Sequence, residues 1–251
     1  ASLVLYNTEL DQLNTEDLTE LGMSMEDAVK AADKRVVSIP YLGVSRGRKE
    51  SLLLSSRGVS YSKQTNEVAA WCGPLLQDAD SRKSGMQIYH RREWDPHVGK
   101  RIAEEAVEKA AELLKASPIS GGKLPVVLDE NMAPRFLGMF FGAFSAESAQ
   151  RGMSRLQERL GETIAIPELT LLDDPHRKGA NRSRFLDAEG FLTKALPLIE
   201  DGVFRNFLYH VESASKENKS STGHAVRGYS GGISTGSHNL VWPRGEYSLE
   251  Q

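Results

Sequence analysis

Residues 170–228 read TLLDDPHRKGANRSRFLDAEGFLTKALPLIEDGVFRNFLYHVESASKENKSSTGHAVRG, and the centre of this stretch decides the fold class. Residues 196–200 and 203–210 are two β-prone runs joined at Asp201-Gly202. An Asp-Gly pair supplies the positive φ angles that a two-residue hairpin turn demands. Upstream, an apolar run is closed by Asp173-Asp174-Pro175, the pattern of a strand stopped by turn chemistry. Downstream, residues 212–218 predict a short helix, and residues 220–228 a polar loop containing glycine.

Working outward, residues 15–33 have helical spacing, with Thr15 as N-cap and Leu18, Leu21, Met25, Ala28 and Val29 on one face; Gly22 divides them into two pieces. Between residues 49 and 94 the period becomes strand-like. The turn pairs Arg57-Gly58 and Thr65-Asn66 separate runs at 51–54 and 68–71, which predicts an antiparallel meander. Asp95-Pro96 reads as N-cap and first helical position, and Val98, Ile102, Ala106, Ala110, Leu113 and Leu114 then recur at helical spacing to Lys115. Residues 117–122, SPISGG, make a linker. The expected organisation is a first domain over residues 1–117, a linker over 118–122 and a second domain over 123–251. The second domain is expected to open with a buried strand at 124–128. Asp129 then caps a helix over 132–144, whose Phe136, Met139, Phe140 and Phe144 read as core or subunit interface. Arg151, Arg155, Glu158 and Arg159 mark a solvated face over residues 145–160. The fold class is α+β: helices on an antiparallel sheet, followed by a mostly β second domain with an inserted helical pair. At the end of the sequence, Ser248 and Gln251 have capping-box spacing with no helix behind them, the expectation for a fragment.

With 39% apolar residues and a formal net charge of -3, the chain has no basic excess that would argue for nucleic acid. No apolar run reaches membrane-spanning length and no basic-then-apolar leader is present, so a cytoplasmic protein without a membrane partner is expected. The single Cys72 excludes an internal disulfide and reads as a small buried hydrophobe.

The motifs of self-contained catalysis are missing from the sequence. His90, His97, His176, His210, His224 and His238 never stand at i, i+4 or i, i+5, no Cys-x-x-Cys occurs, and no metal ligand set is expected. Residues 228–236, GYSGGISTG, carry neither the lysine nor the following helix of a phosphate loop. No serine sits in a Gly-x-Ser-x-Gly elbow. Asp173, Asp174, Asp187 and Glu189 could serve as paired acids of an independent hydrolase, although Asp-Asp-Pro and Asp-x-Glu-Gly also read as turns. His224, beside Thr222, Gly223 and Arg227, has two readings: a loop that contacts a peptide carboxylate or main chain, or a turn whose hydroxyls satisfy their own backbone. His210 reads as structural.

The order of these parts resembles the TldD/PmbA family, named for modulation of DNA gyrase, and within it the PmbA (TldE) branch. The residues that carry the resemblance are Asp173-Asp174-Pro175, residues 185–190 (FLDAEG), Glu200-Asp201-Gly202-Val203 and residues 221–225 (STGHA). Residues 126–129, 143–147 and 160–162 follow the same order upstream. The resemblance implies a PmbA/TldD-like α+β fold cut short at both ends. It implies a metal-free subunit that works with a TldD-type zinc metallopeptidase, or as a homodimer, in maturing and degrading peptides. In a TldD-type partner a His-Glu-x-x-x-His helix would hold the zinc; the corresponding residues here, 136–144, read FLGMFFGAF. No cofactor is therefore expected in this chain, and no direct contact with nucleic acid. Thr222, Gly223, His224, Arg227 and Asn239 are the expected peptide-binding residues. The chain departs from the pattern at His238, where the family more often shows threonine. Besides the independent hydrolase, a purely structural interaction module is the remaining alternative.

Overall fold

In the computed structural model, which describes residues 3–129, 131–243 and 245, the short α1 (Glu9–Gln12) precedes a long α2 (Thr15–Ala32). The N-cap of α2 is Asn14, one residue before the predicted Thr15. Asn14 Oδ1 accepts from the amides of Glu16 and Asp17, while Asp17 Oδ2 accepts from Asn14 N, a reciprocal capping box. Gly22 does not break the helix, because Leu21, Met25 and Val29 on either side of it are buried in one core. Tertiary packing outweighs one glycine's cost of about 1 kcal/mol.

Strands β1 (Val36–Leu54) and β2 (Ser60–Asp78) are each 19 residues long and meet at a turn containing Arg57-Gly58. The predicted Thr65-Asn66 turn lies inside β2. Asn66 is buried there and exchanges two hydrogen bonds with the backbone of Asn7, at 2.8 and 2.6 Å, so its amide tethers the N-terminal segment and makes no turn. The return strands β3 (Ser81–Ser84) and β4 (Gln87–Arg91) both pair antiparallel with β2, at successive portions of its length. α3 (Val98–Leu114) begins two residues after Pro96, with His97 at the cap; Asp95 instead caps the preceding turn by accepting His97 N. Apolar residues of α2, β2 and α3 make one core. Cys72 belongs to it, and burial pushes its thiol up to about 11, which suits an inert core thiol.

The chain divides into two units, one of Val4–Ser51 with Ser62–Leu124, the other containing Leu52–Tyr61 and the residues from Pro125 on. Where the second unit begins, the strand predicted for residues 124–128 does not form; Val127 is 97% exposed. No described segment pairs with them, and a strand exists only as part of a ladder. α4 (Met132–Phe140) has Asn131 at its N-cap; Asp129, the expected cap, stands two residues earlier, its Oδ1 accepting from the Asn131 and Met132 amides. A short 3-10 turn, Phe141–Phe144, and α5 (Ala146–Gln150) follow. Of the four bulky residues predicted on this helix, Phe144 alone is in the core; Phe136, Met139 and Phe140 are exposed.

Among the described residues the sheet of this unit has four strands, in the spatial order Leu240–Val241 (β10), Leu171–Asp173 (β5), Leu196–Glu200 (β6), Val203–Phe204 (β7), all antiparallel. Asp201 and Gly202 have φ of 50° and 77°, the hairpin turn that the sequence predicted. The strand predicted over 203–210 stops at Phe204. Phe207, Leu208 and Tyr209 are consecutive and all buried, so alternation fails and the chain leaves the ladder. Leu208 pairs instead with the segment around Ser145. α6 (Val211–Ser215) and an antiparallel ribbon of β8 (Ala225–Arg227) and β9 (Ile233–Thr235) complete the unit; β8 lies where the sequence predicted a loop. The capping-box spacing at residues 248–251 lies outside the described residues. None of the described helices is long and apolar enough to cross a membrane.

Candidate functional site

Three turns of this second unit converge on one buried carboxylate. β5 ends at Asp173, which is fully buried. β10 pairs with it in the register Leu240↔Asp173, which brings His238 alongside. The backbone N–H of His238 donates to Asp173 Oδ2 at 2.8 Å and Oδ1 at 3.1 Å. The third turn is residues 221–224. Thr222 Oγ1 accepts from Tyr209 N at 2.8 Å, and Gly223 takes a φ of 76° with room for no side chain, since a Cβ there would lie 2.8 Å from Leu192 O. This bend delivers His224, whose Nε2 is 3.1 Å from Asp173 Oδ2 and whose Nδ1 is 2.8 Å from Thr222 Oγ1.

The two imidazoles lie against each other, with ring centroids 4.7 Å apart. His238 Nε2 is 2.9 Å from the carbonyl oxygen of Gly223. A carbonyl only accepts, so Nε2 carries the proton and Nδ1 of the neutral ring is a bare lone pair. That Nδ1 is buried and has no hydrogen-bond partner among the described residues. Burial, then the neighbouring His224, pushes the His238 imidazole down to about 4, so it is neutral near pH 7. One donor atom each from Asp173, His224 and His238 lies within 4.8 Å of the others.

Of the predicted peptide-binding residues, Thr222, Gly223 and His224 belong to this cluster. His224 presents nothing outward: it is fully buried and both ring nitrogens face groups of the protein. Asn239 sits at the margin, its Nδ2 donating to Asp174 O and Ser183 Oγ and its Oδ1 accepting from Arg182 N. Arg227 is not brought to the cluster; it is exposed on β8. The acids weighed for an independent hydrolase are spread over separate turns. Asp174 Oδ1 accepts from His176 N, Asp187 from the amides of Glu189, Phe191 and Ala225, and Glu189 from Val211 N. His210, read as structural, is buried at the start of α6, with Nδ1 3.0 Å from both Thr235 Oγ1 and Ser213 Oγ.

Sequence reasoning missed the grouping of Asp173, His224 and His238 because 51 and 65 residues separate the carboxylate from its two histidine partners. The signal available was two histidines set between small or polar residues near β-prone runs, Gly223-His224-Ala225 and Ser237-His238-Asn239.

Residues 121–251 match the profile described as PmbA/TldA metallopeptidase C-terminal domain, and residues 8–114 that of the PmbA/TldA metallopeptidase central domain. A metalloprotease PmbA homolog from Haemophilus influenzae is 24% identical over 89% of this chain and 49% of its own length. Among solved structures, a protein of Thermotoga maritima named for modulating a DNA gyrase superposes with a TM-score of 0.88 at 26% identity, over 100% of this chain and 57% of the other. TldE from Thermococcus kodakarensis superposes with a TM-score of 0.83 at 26% identity, over 98% and 56%. The chain spans about half the length of the curated relatives it matches.

Proposed function

This chain belongs to the PmbA/TldD metallopeptidase family, and on that premise we propose that it serves as a PmbA/TldE-type subunit lending docking and peptide-binding surface to a TldD-type zinc peptidase. The observation that carries this reading is the composition of α4. Where a catalytic zinc of the family would need two imidazoles and a carboxylate on one helix, the side chains from residue 136 to 144 are Phe, Leu, Met, Ala and Gly. None of these is an imidazole or a carboxylate, so residues on this helix do not fit a zinc held in that way.

The surroundings support a docking role. Phe136, Met139 and Phe140 stand exposed, and with Met153, Leu156 and Trp242 they border an apolar cavity of about 700 Å³. Apolar surface left open in this way suits a partner protein. Among the described residues the β8–β9 ribbon has two strands, and a ribbon edge can hold an extended peptide by main-chain hydrogen bonds with little dependence on sequence. Arg227 on β8 would receive a peptide carboxylate, with Thr222, Gly223, His224 and Asn239 forming the base from which the ribbon rises. Peptide maturation and degradation in the cytoplasm, as part of a heteromer or a homodimer, belong to the same proposal; the lone core cysteine supports the location.

The test is peptide hydrolysis by the full-length protein, alone and mixed with a TldD-type subunit. The expected result is no turnover alone and altered turnover of the partner on mixing. Chelator-sensitive turnover by the protein alone would overturn the proposal in favour of an independent hydrolase, and an indifferent partner would leave an interaction module without a peptidase role.

A further inference from the structure

Buried polar atoms in folded proteins are nearly always satisfied, and an exception calls for a specific cause. His238 Nδ1 is such an exception. Its ring is held by a hydrogen bond from Nε2 to the Gly223 carbonyl, the arrangement by which metal-ligating histidines fix the tautomer and aim the other nitrogen. His224 has the same kind of support on the opposite atom. Its Nδ1 faces Thr222 Oγ1 at 2.8 Å, and that hydroxyl is 3.2 Å from the Tyr209 carbonyl, so a proton on Nδ1 has an acceptor and the hydroxyl proton has another. This leaves His224 Nε2 free to become a ligand.

We propose that Asp173, His224 and His238 form a buried three-donor site for one divalent transition metal ion of the zinc class, with water as the fourth ligand, distinct from any zinc that a metallopeptidase helix would hold. Two imidazoles and a carboxylate are a donor set that zinc accepts. Donors about 2.0 to 2.2 Å from a tetrahedral ion are roughly 3.5 Å from one another. His224 Nε2 and Asp173 Oδ2 are already 3.1 Å apart, and one ligand atom from each of the three residues lies within 4.8 Å of the others. Small side-chain rotations would close the set. With an ion on Nε2, His224 would keep its proton on Nδ1 and donate a hydrogen bond to Thr222 Oγ1, whose own hydroxyl hydrogen would point to Tyr209 O. The Arg184 guanidinium, itself near Arg182, opposes a cation here, and Asp187 is a counter-charge beside it. Since all three side chains are buried, the ion would staple the ends of three segments together and would not meet substrate. The site is independent of whether the chain assists a peptidase.

The experiment loads the full-length protein with Zn²⁺ or Co²⁺, removes free ion by gel filtration, and measures retained metal, the visible ligand-field bands of Co²⁺, and the unfolding temperature with and without Zn²⁺. One ion per chain, tetrahedral-type bands and a metal-dependent rise in unfolding temperature are expected. His238→Gln, which keeps a donor toward Gly223 O and offers no imidazole, should lose at least tenfold in affinity; His97→Ala, at an exposed histidine outside the cluster, should retain the ion. Failure of the wild type to hold either ion, or equal retention by His238→Gln, would overturn the proposal. Should that variant not fold, ¹⁵N NMR of the wild-type imidazoles decides: the bare Nδ1 resonance of His238 must shift on adding Zn²⁺, and an unmoved resonance refutes the site.

Discussion

Asp173 and His224 meet through a 3.1 Å contact between Oδ2 and Nε2, with both side chains wholly withdrawn from solvent. The same carboxylate accepts from the backbone of His238, so one side chain ties together the strand end at β5, the bend before β8 and the approach to β10. Removing Asp173 leaves both the buried His224 Nε2 and the His238 N–H without their partner, and each buried polar group so orphaned costs about 1 to 3 kcal/mol. Asp173→Ala should therefore destabilise the chain by about 3 kcal/mol or more in urea unfolding, with an unchanged m-value. A loss under about 1 kcal/mol would mean that the carboxylate is not the tie described.

Gly223 is held to its conformation from two directions: φ lies in the left-handed region at 76°, and a Cβ would come 2.8 Å from Leu192 O. Gly223→Ala should cost about 1 to 3 kcal/mol in thermal unfolding through strain and backbone displacement. Because the bend is what aims His224, the variant should also shift the His224 imidazole resonances. A stability change without such a shift would uncouple the turn from the cluster.

The pH dependence of stability is clearest at Asp33. Hydrogen bonds from the Arg35 side chain, and then from its backbone N–H, hold this carboxyl down to about 2 from 3.8. A carboxylate whose folded value is depressed contributes stability that is fully present above the unfolded value and is lost as pH falls through the folded one. The contribution should fade between about pH 4 and pH 2. Since Arg35 is partly exposed, about 1 kcal/mol is the expected size. Asp33→Asn should show a shallower stability loss than wild type across that window, measured by denaturant unfolding at a series of pH values; parallel curves would refute the assignment.

How much of this was legible in the sequence follows from which forces were local. The Asp201-Gly202 turn, the strand ending at Asp173 and the amphipathic helix of Val98, Ile102 and Ala106 were readable because turn chemistry and period act within a few residues. Thr65-Asn66 misled because Asn66 spends its turn-forming amide on Asn7, 59 residues away. Residues 203–210 misled because three consecutive side chains, Phe207, Leu208 and Tyr209, all point into the core, which no alternating pattern anticipates. The candidate site was the least readable part. Its histidines gain meaning only when Gly223 bends and β10 pairs with β5, both consequences of the completed fold.

Phe204 and Met139 separate core from docking surface within one unit. Phe204 is fully buried, its ring 4.7 Å from that of Phe207 and 5.9 Å from that of Phe144. Phe204→Ala should cost about 3 to 5 kcal/mol by lost transfer energy and a residual cavity. Met139 is 79% exposed on α4, so Met139→Glu removes almost no buried contact and should change stability by no more than about 0.5 kcal/mol. If the apolar face of α4 is where a TldD-type subunit docks, the same substitution places a charge in the centre of that contact. Desolvating an unpaired carboxylate should then weaken association at least tenfold. Calorimetric or interferometric titration of the two purified proteins supplies the readout, with Phe204→Ala excluded as a control because its effect on folding would mimic a binding loss. Unaltered affinity in a stably folded Met139→Glu protein would remove α4 from the interface and leave its exposed phenylalanines to a different partner.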